Sequence, residues 1–238
     1  MYNPYKWEFN KEVAECFDKH VRQSVFKYDD FHNNIIKISN FFITNNTNIL
    51  DVGTSTGELL MKLPYNDTCR YIGIDTQEAM INKAQEKLED KYELQVGDIL
   101  DYKITNCSFI VMMLVLQFIK EKDKQTALQN IYNSLNKGGA FILVDKVKTS
   151  VLDIHDMYND LYYDFKRENG LTDTEIIDKN VSLRGVQKCL TVEENIQLLK
   201  EVGFIYAFVC KGRIGTNHLI YIRLESAYTQ RIHRVYKA

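Results

Sequence analysis

The sequence predicts an α/β fold in which a mostly parallel sheet carries helices on both faces. Short apolar runs typical of buried strands alternate with amphipathic segments that have the spacing of helices. The chain contains only 2 prolines, so no proline-rich linker divides it. Its length of 238 residues suits one such domain with an insertion. We therefore expect a single sheet with added helices rather than two domains.

Two amphipathic helices are predicted before the first strand. Apolar residues recur at spacings of three and four from Lys11 to Val25, and the pattern repeats from Phe31 to Ile43. A helix that has one apolar face must bury that face against another element. We therefore expect residues 1–46 to form helices that cover the ligand site at one edge of the sheet.

The next hundred or so residues alternate between the periods of strands and helices. The predicted strands are Asn48–Gly53, Tyr71–Asp75, Tyr92–Val96, Phe109–Leu114 and Ala140–Asp145. The first of the predicted helices begins after Gly57. Two more are predicted over Gln77–Asp90 and Lys122–Leu135. The tetrapeptide NKGG at 136–139 is typical of a helix stop, so a loop is expected there.

The alternation pauses at residues 147–190. This stretch contains two helical patterns, Asp153–Asn169 and Thr172–Asn180, and no strand pattern. We expect it to be an inserted helical cap over the site, within a main domain that covers 47–224.

The sheet resumes after the cap. A last helix is predicted over Val192–Val202, and the apolar runs FIYAFVC and HLIYIRL follow it. The short turn-rich segment between these two runs favours an antiparallel hairpin. Residues 225–238 form a mildly basic tail with no assignable role.

Composition and charge argue against several functional classes. The net charge of −2 gives no overall field to attract phosphate backbones, so no direct nucleic-acid partner is expected. No segment has the layout of a signal peptide, and the longest apolar run is too short to cross a bilayer. The 5 cysteines lack CxxC spacing, which favours reduced thiols in a cytoplasmic protein. The histidines lack ligand spacing, so no metal is predicted.

Acidic residues follow three successive predicted strands. Asp51, Gly53 and Gly57 come at the end of the first strand, Asp75 ends the second, and Asp98 follows the third. In an open parallel sheet, ligands bind beyond the carboxyl ends of the strands. Carboxylates there suit a ligand with hydroxyl and amino groups. The GxGxxG fingerprint and the P-loop, which bind phosphates, are both absent. The pattern therefore predicts a nucleoside site.

Each of these residues has an expected role. Gly53 and Gly57 allow a tight turn and a close approach of the backbone to the ligand. Asp75 lies 18 residues after Gly57, near the roughly 20-residue offset at which a carboxylate reaches ribose hydroxyls. Asp98 and the backbone of Ile99 can bind an adenine edge. For Asp51 and Asp98, a purely structural role in a turn or cap stays open.

Taken in order, these residues resemble the S-adenosylmethionine (SAM) binding face of the Rossmann-like methyltransferases. The resemblance implies a seven-stranded sheet, mostly parallel, with an antiparallel hairpin at its carboxyl-terminal end. It also implies SAM, or the S-adenosylhomocysteine that remains after transfer, as the cofactor. A small-molecule substrate and a homodimer are the expected partners.

A more specific resemblance extends over roughly residues 7 to 224. The segments Trp7–Asp30, Leu116–Ile119, Leu135–Lys146 and Tyr162–Ile176 resemble the carboxy-S-adenosylmethionine synthases. Enzymes of that family carboxylate the methyl group of SAM, with prephenate as the carboxyl source, and serve wobble-uridine modification in tRNA. Carried over by position, the resemblance implies that the nucleoside site contains Tyr28, Gly53, Thr54, Ser55, Asp75, Thr76, Asp98 and Ile99.

Two positions depart from this family pattern. Met113 stands where the family has a site asparagine, and Asn180 stands where it has the arginine that holds the product carboxylate. A guanidinium makes that bidentate contact best. Arg184, one helical turn further on, is a candidate replacement.

These departures favour a SAM-dependent methyltransferase that acts on a small molecule as the main prediction. Carboxy-S-adenosylmethionine synthase is the alternative. A non-catalytic SAM-binding subunit is a further alternative, because no strong general base can be named from the sequence.

Methyl transfer requires alignment of the acceptor and, for some acceptors, a base. The candidate bases at this edge of the sheet are Asp145, His155, Tyr162 and Tyr163. Each has a structural alternative, since Asp145 can pair with Lys146 and a lone histidine on a helix is usually a surface or cap residue.

The inserted helix has two further features. Tyr158, Tyr162 and Phe165 recur at helical spacing, which is typical of packing or dimer contacts. The charge run at 164–169 is expected to be a solvated face, although its match to the family implies interdomain or intersubunit ion pairs as an alternative.

Overall fold

The computed structural model describes residues 10–204, 206–211 and 217–222, with side chains described for 10–204. The predicted tail at 225–238 lies outside the described residues. The strands are β1 Asn48–Val52, β2 Arg70–Asp75, β3 Tyr92–Val96, β4 Cys107–Met113, β5 Leu135–Asp145, β6 Tyr206–Lys211 and β7 Asn217–Ile222. The helices are α1 Lys11–Ser24, α2 Tyr28–Ser39, α3 Glu58–Lys62, α4 Glu78–Lys87, α5 Glu121–Ser134, α6 Leu152–Glu168, α7 Asp173–Ser182 and α8 Val192–Glu201.

The strands form one sheet in the order β3-β2-β1-β4-β5-β7-β6. Strands β1 to β5 pair in parallel, and β7 pairs antiparallel with both β5 and β6. The chain builds outward from β1 to β3 and then crosses back to β4 on the other side of β1. Such a reversal opens a crevice at the carboxyl ends of the strands, where ligands bind. The predicted α/β Rossmann-like fold is confirmed.

The predicted loop at 136–139 is part of a strand instead. Strand β5 begins at Leu135, directly after α5 ends. Leu135 is paired with Cys107 of β4, but Ala140 is paired with Phe109, so the register shifts between these pairs. Gly138, with a φ of 76°, lies within the shift. The NKGG signal therefore marked the end of the helix correctly, but the extra residues form an irregularity within the strand pairing.

The two faces of the sheet bury different sets of residues. Successive side chains of a strand point to opposite faces. Leu50 of β1 and Ile110 of β4 therefore join the core beneath α5 and α8, whereas Ile49 and Phe109 join the core beneath α2 and α3. These positions are fully buried, which explains why the central strands read as continuous apolar runs.

Helix α1 is tied to the carboxyl edge of the sheet by charged contacts. Asp18 is paired with Lys87 of α4 and accepts a 2.5 Å hydrogen bond from Thr56 Oγ1. Arg22 is paired with Glu58, which begins α3. These contacts hold α1 beside the loop that follows β1.

The inserted helix α6 packs against the end of α1 and the residues after it. The Tyr162 hydroxyl donates a 2.7 Å hydrogen bond to the Ser24 carbonyl. The Phe165 ring makes an edge contact with Phe26 at 5.2 Å between centroids. The packing contacts predicted for α6 are therefore observed at Tyr162 and Phe165. The amino-terminal helices and the insertion thus meet beside the crevice.

Candidate active site

A cavity of about 560 Å³ lies at the carboxyl ends of the parallel strands. It is lined by the segments that follow β1 to β5 and by residues of α1, α2, α6 and α7. Its size falls within the range of about 300–1,000 Å³ that is typical of small-molecule sites. The cavity is therefore large enough for a nucleoside together with a second small molecule.

The loop after β1 requires glycine at two places. Gly53 has a φ of 70° and Gly57 a φ of 75°, in the left-handed region that favours glycine. A Cβ atom on Gly53 would lie 2.2 Å from Val115 Cγ2, and one on Gly57 would lie 2.7 Å from Leu88 Cδ1. The first glycine lets the loop pack against the end of β4, and the second lets α3 start against α4.

Asp51 supports this loop from within the sheet. Its side chain is 2% exposed and accepts a 2.8 Å hydrogen bond from Thr54 Oγ1. Burial raises the pKa of the Asp51 carboxyl to about 7, against the effect of the Thr54 bond. Asp51 also lines the cavity, so the structural role left open for it is real without excluding contact with a ligand.

Asp75 connects the loops that follow β1 and β2. Its Oδ2 accepts a 3.0 Å hydrogen bond from the Ser55 backbone N–H, and its Oδ1 accepts one of 2.9 Å from that of Gln77. Burial raises the pKa of Asp75, and the backbone donors oppose this effect. Thr76, which directly follows Asp75, is exposed and lines the cavity.

The segment after β3 supplies Asp98 and Ile99. Asp98 is exposed, and its Oδ1 accepts a 3.0 Å hydrogen bond from the Leu100 N–H. Ile99 is buried beside it. Tyr28 of α2 and Met113 at the end of β4 complete the predicted binding residues. All of these residues except Gly57 line the cavity, and Gly57 shapes the turn behind it. We refer to Asp51, Asp75 and Asp98 as the acidic end of the cavity.

Two residues that the sequence did not single out also line the cavity. His32 is 1% exposed, contacts the Tyr28 ring at a tilt of 50° and 4.5 Å between centroids, and has no hydrogen-bond partner on either ring nitrogen. Burial lowers the pKa of His32 to about 4, so the ring is neutral. Glu58 accepts from Arg22 and Lys62 through Oε1, whereas its buried Oε2 has no partner. Unpaired buried polar atoms are rare in proteins and suggest a ligand or water.

Asp145 does not take up the position expected of a catalytic base. It is 1% exposed, it is not among the residues that line the cavity, and its Oδ1 accepts a 3.2 Å bond from the Gln117 N–H. Burial raises its pKa, and the charge of Lys124 opposes this effect. The alternative ion pair with Lys146 is not among the described contacts, and the cation whose charge acts on Asp145 is Lys124 of α5.

The other catalytic candidates are also constrained. Tyr162 lines the cavity, but its hydroxyl donates to Ser24 and burial raises its pKa, so it is poorly suited to accept a proton. His155 is half-buried on α6, outside the cavity lining.

Arg184 is exposed in the turn after α7 and does not line the cavity, which argues against its role as the replacement guanidinium. The exposed Asn180 donates a 2.9 Å hydrogen bond from Nδ2 to the Tyr163 hydroxyl.

Three lysines instead gather around the Tyr162 side of the cavity. Lys146 Nζ lies 4.8 Å from the Tyr162 ring centroid and Lys166 Nζ lies 4.2 Å from it. Lys146 and Lys179 line the cavity, whereas Lys166 is 6% exposed and is not among the lining residues. We refer to Lys146, Lys166 and Lys179, together with Tyr162, as the lysine cluster.

Burial disfavours the charge of each lysine, and repulsion by a neighbouring lysine adds to this effect at Lys166 and Lys179. Burial lowers the pKa of Lys146, and burial with the nearby Lys146 lowers that of Lys166 to about 8. Burial and Lys166 lower the pKa of Lys179 to about 6. The expectation that the charge run at 164–169 is a solvated face is wrong for Lys166. The expectation of a solvated face holds for Arg167 and Asp164. Both are exposed, and Arg167 Nη1 lies 2.9 Å from Asp164 Oδ1.

Within residues 10–204, no group of three or more potential ligands is arranged to hold a metal ion. Among the described residues, no helix is long and apolar enough to cross a membrane. The four cysteines in this part of the chain, Cys16, Cys69, Cys107 and Cys189, are free thiols.

Comparison with solved structures places the fold. A structure from Methanococcus maripaludis, described as an S-adenosyl-L-methionine-dependent methyltransferase, aligns with a TM-score of 0.63 and 21% identity over 95% of this chain and 98% of that one. Human N-acetylserotonin methyltransferase, solved in complex with SAM, aligns with a TM-score of 0.61 and 12% identity over 91% of this chain and 57% of that one. Residues 49–139 match a family model described as a methyltransferase domain. The chain thus has the fold of the SAM-dependent methyltransferases, with a cavity at the switch point of its sheet.

Comparison with curated sequences is more specific. The chain is 42% identical over 207 residues to the carboxy-S-adenosyl-L-methionine synthase of Staphylococcus epidermidis, covering 85% of this chain and 91% of that protein. It is 35% identical over 206 residues to the enzyme of the same name from Shewanella sediminis, covering 83% and 85%. The chain belongs to the carboxy-S-adenosyl-L-methionine synthase family. The predicted enzyme class, a SAM-dependent transferase, is confirmed.

Proposed function

We propose that this protein is a carboxy-S-adenosylmethionine synthase, the alternative that the sequence left open, rather than a small-molecule methyltransferase. The observation that carries this proposal is the lysine cluster beside the cavity. Among the described residues, no carboxylate is an ion-pair partner of Lys146 or Lys166. Enclosed ammonium groups without a carboxylate suit a reaction in which the ligands themselves bring carboxylates.

The cavity offers suitable groups for each part of SAM. Asp75 is the acceptor for the ribose hydroxyls, and the segment at Asp98 and Ile99 is the site for the adenine edge. The unpaired Oε2 of Glu58 and the neutral ring of His32 are acceptors for the ammonium of the methionine part. The cavity continues beyond these groups to the lysine cluster, which leaves space for the carboxyl donor.

SAM supplies a methyl group on a positively charged sulfur. Carboxylation exchanges one C–H bond of that methyl group for a C–C bond to a carboxyl carbon. A proton must therefore leave, and the donor must keep the electron pair of its broken bond. Prephenate, the donor implied by the resemblance, meets both needs, because loss of carbon dioxide and hydroxide makes its ring aromatic and the hydroxide takes the proton as water. This balance requires no side-chain base, in keeping with the positions of Asp145 and Tyr162.

A methyltransferase for an anionic small molecule is the second candidate. It is favoured by Asn180, whose amide is bonded to Tyr163 and which cannot supply the guanidinium of the family. In that case the lysine cluster binds the acceptor and no carboxyl group is transferred.

Mass spectrometry of a reaction of the purified protein with SAM and prephenate separates the two candidates. The proposed function predicts a nucleoside heavier than SAM by one carbon dioxide, together with phenylpyruvate. Unchanged SAM in the presence of prephenate, or S-adenosylhomocysteine formed with an anionic acceptor, would contradict it.

The expected surroundings of the enzyme are also part of the proposal. It acts in the cytoplasm on small molecules, without direct contact to nucleic acid, and forms a homodimer. Helix α6 supports the dimer because Leu152, Met157 and Leu161 expose apolar side chains, 77% exposed in the case of Leu152. Light scattering coupled to size-exclusion chromatography measures this directly, and a monomer at micromolar concentration would contradict the dimer.

A further inference from the structure

We propose that Lys146 is the carboxylate-binding residue of this enzyme and takes the place of the family's arginine, and that Lys166 positions it through the Tyr162 ring. The ligand is the carboxyl group that is transferred to the methyl carbon, and later the same group on the product. This inference rests on the proposed function and assigns a residue within it.

The place of Lys146 in the sheet supports this assignment. The acidic end is built from the ends of β1, β2 and β3, and β4 and β5 follow on the other side of β1. Lys146 directly follows β5 and lines the cavity. Neighbouring strands lie about 4.8 Å apart, so the end of β5 is about 10 Å from that of β1. Lys146 is therefore about 10 Å along the sheet from the acidic end, on the side of the cavity that the proposed function assigns to the carboxyl donor.

The positions of Asn180 and of its candidate replacement, Arg184, point the same way. Asn180 is exposed and bonded to Tyr163, and Arg184 is exposed outside the cavity lining. Neither position offers a cation to a carboxylate in the cavity. Lys146 does, because it lines the cavity and its Nζ lies over the ring of Tyr162, a second lining residue, at 4.8 Å from the centroid. A cation–π contact replaces only part of the hydration that an ammonium loses on burial.

Lys166 acts indirectly. Its Nζ lies 4.2 Å from the centroid of the Tyr162 ring, and it does not line the cavity. The ring is held in place by the hydrogen bond from its hydroxyl to the Ser24 carbonyl. The ammonium groups of Lys166 and Lys146 therefore share one fixed ring, and their repulsion favours a Lys146 ammonium that points into the cavity. An incoming carboxylate relieves that repulsion, so the protein binds the carboxylated form of the ligand more tightly.

The test compares the binding of two ligands, SAM and carboxy-S-adenosylmethionine, by calorimetry on the full chain. The wild-type protein is expected to prefer the carboxylated ligand. Lys146→Met is expected to reduce this preference at least tenfold while changing the affinity for SAM less than threefold, since SAM has no carboxylate at this position. Lys146→Arg is expected to retain most of the preference. Lys148→Met is the matched control, because Lys148 is two residues away, 44% exposed and paired with Glu194 at 3.4 Å.

Lys166→Met supplies a second measurement that does not depend on the first variant. Lys166 has a pKa of about 8, so its removal is expected to flatten the fall in preference between pH 7 and 9 that is expected of the wild type. A residue that serves only as packing would leave the pH profile unchanged.

The outcomes distinguish this inference from the proposed function. If wild-type protein shows no preference and makes no carboxylated product, the proposed function fails. If wild-type protein prefers the carboxylated ligand and folded Lys146→Met keeps that preference, the function stands and the assignment of Lys146 is wrong. Circular dichroism and thermal melting establish that each variant is folded before it is compared.

Discussion

The acidic end and the lysine cluster differ in how their charged groups are paired within the protein. Asp75 is surrounded by backbone N–H donors, and Asp51 and Asp98 each accept a hydrogen bond from a residue two or three positions away. These carboxylates already have partners without a ligand. Lys146 and Lys166 come from distant parts of the chain and meet over one aromatic ring, with no described carboxylate between them. The acidic end is thus preorganised, whereas the lysine cluster is electrostatically incomplete.

This difference separates affinity from selectivity. A preorganised site binds its ligand with little rearrangement, so the acidic end is expected to supply most of the affinity for the nucleoside. An incomplete site gains most from a ligand that brings the missing charge, so the lysine cluster is expected to decide between ligands with and without a carboxylate. Variants at the two ends should therefore have separable effects.

The largest expected effect is at the loop of the acidic end. Gly53→Ala places a Cβ against Val115 at a φ of 70°, so we expect a loss of about 2–5 kcal/mol in the free energy of unfolding, with loss of SAM binding. Gly185→Ala is the matched control, since Gly185 has a φ of 77° and no atom within 4 Å of the added Cβ. Its cost should be about 1–2 kcal/mol, from the backbone alone. Equal losses in denaturant unfolding would mean that the close approach to Val115 is unimportant.

The next effect separates the two ends directly. Asp75→Ala removes the acceptor of two backbone N–H groups and of the ribose, so we expect SAM affinity to fall about 10- to 150-fold, as for a lost charged hydrogen bond. The preference for the carboxylated ligand should not change. Calorimetry with both ligands measures this, and the exposed Asp101→Ala serves as control. A lost preference would show that the two ends are coupled.

The pH dependence of ligand preference is expected to be smaller. Lys166 has a pKa of about 8, lowered from its usual value, and is therefore charged below pH 8 and neutral above it. The groups around the cluster that also titrate are Lys146, Lys179, His20, Cys189 and Tyr162. As pH rises from 7 to 9, the cluster loses positive charge, so the affinity for the carboxylated ligand should fall about 3- to 10-fold relative to SAM.

The ratio of the two affinities is the useful quantity in this experiment. Asp51 has a pKa of about 7, and its titration affects both ligands alike and cancels in the ratio. A ratio that is constant from pH 7 to 9 would contradict a role for the lysine charges.

The smallest effect is expected at Arg184. Because it is exposed and outside the cavity lining, Arg184→Ala should change both ligand affinities less than twofold and the free energy of unfolding by less than about 0.5 kcal/mol. A tenfold loss of affinity for the carboxylated ligand alone would restore the hypothesis that Arg184 replaces the family's arginine.

Much of the fold could be predicted because the pattern of strands and helices is local. The predicted and observed bounds agree closely for β2, β3 and α8. A clear exception is β5, which begins at Leu135 and runs through the turn signal at 136–139. Pairing with β4 holds Leu135 in the sheet despite the glycines that follow. Propensity at such a position yields to the neighbouring strand.

What the sequence by itself determined is the acidic end. Asp51, Asp75 and Asp98 lie at or just after the carboxyl ends of three strands, and once the strands are parallel these ends must meet at one edge of the sheet. Only the tertiary structure decided the lysine cluster. Lys166 stands in a run of charges that is typical of a solvated face, and its burial depends on the packing of α6 against the residues that follow α1. Burial arises from contacts between distant segments, and no local pattern records it.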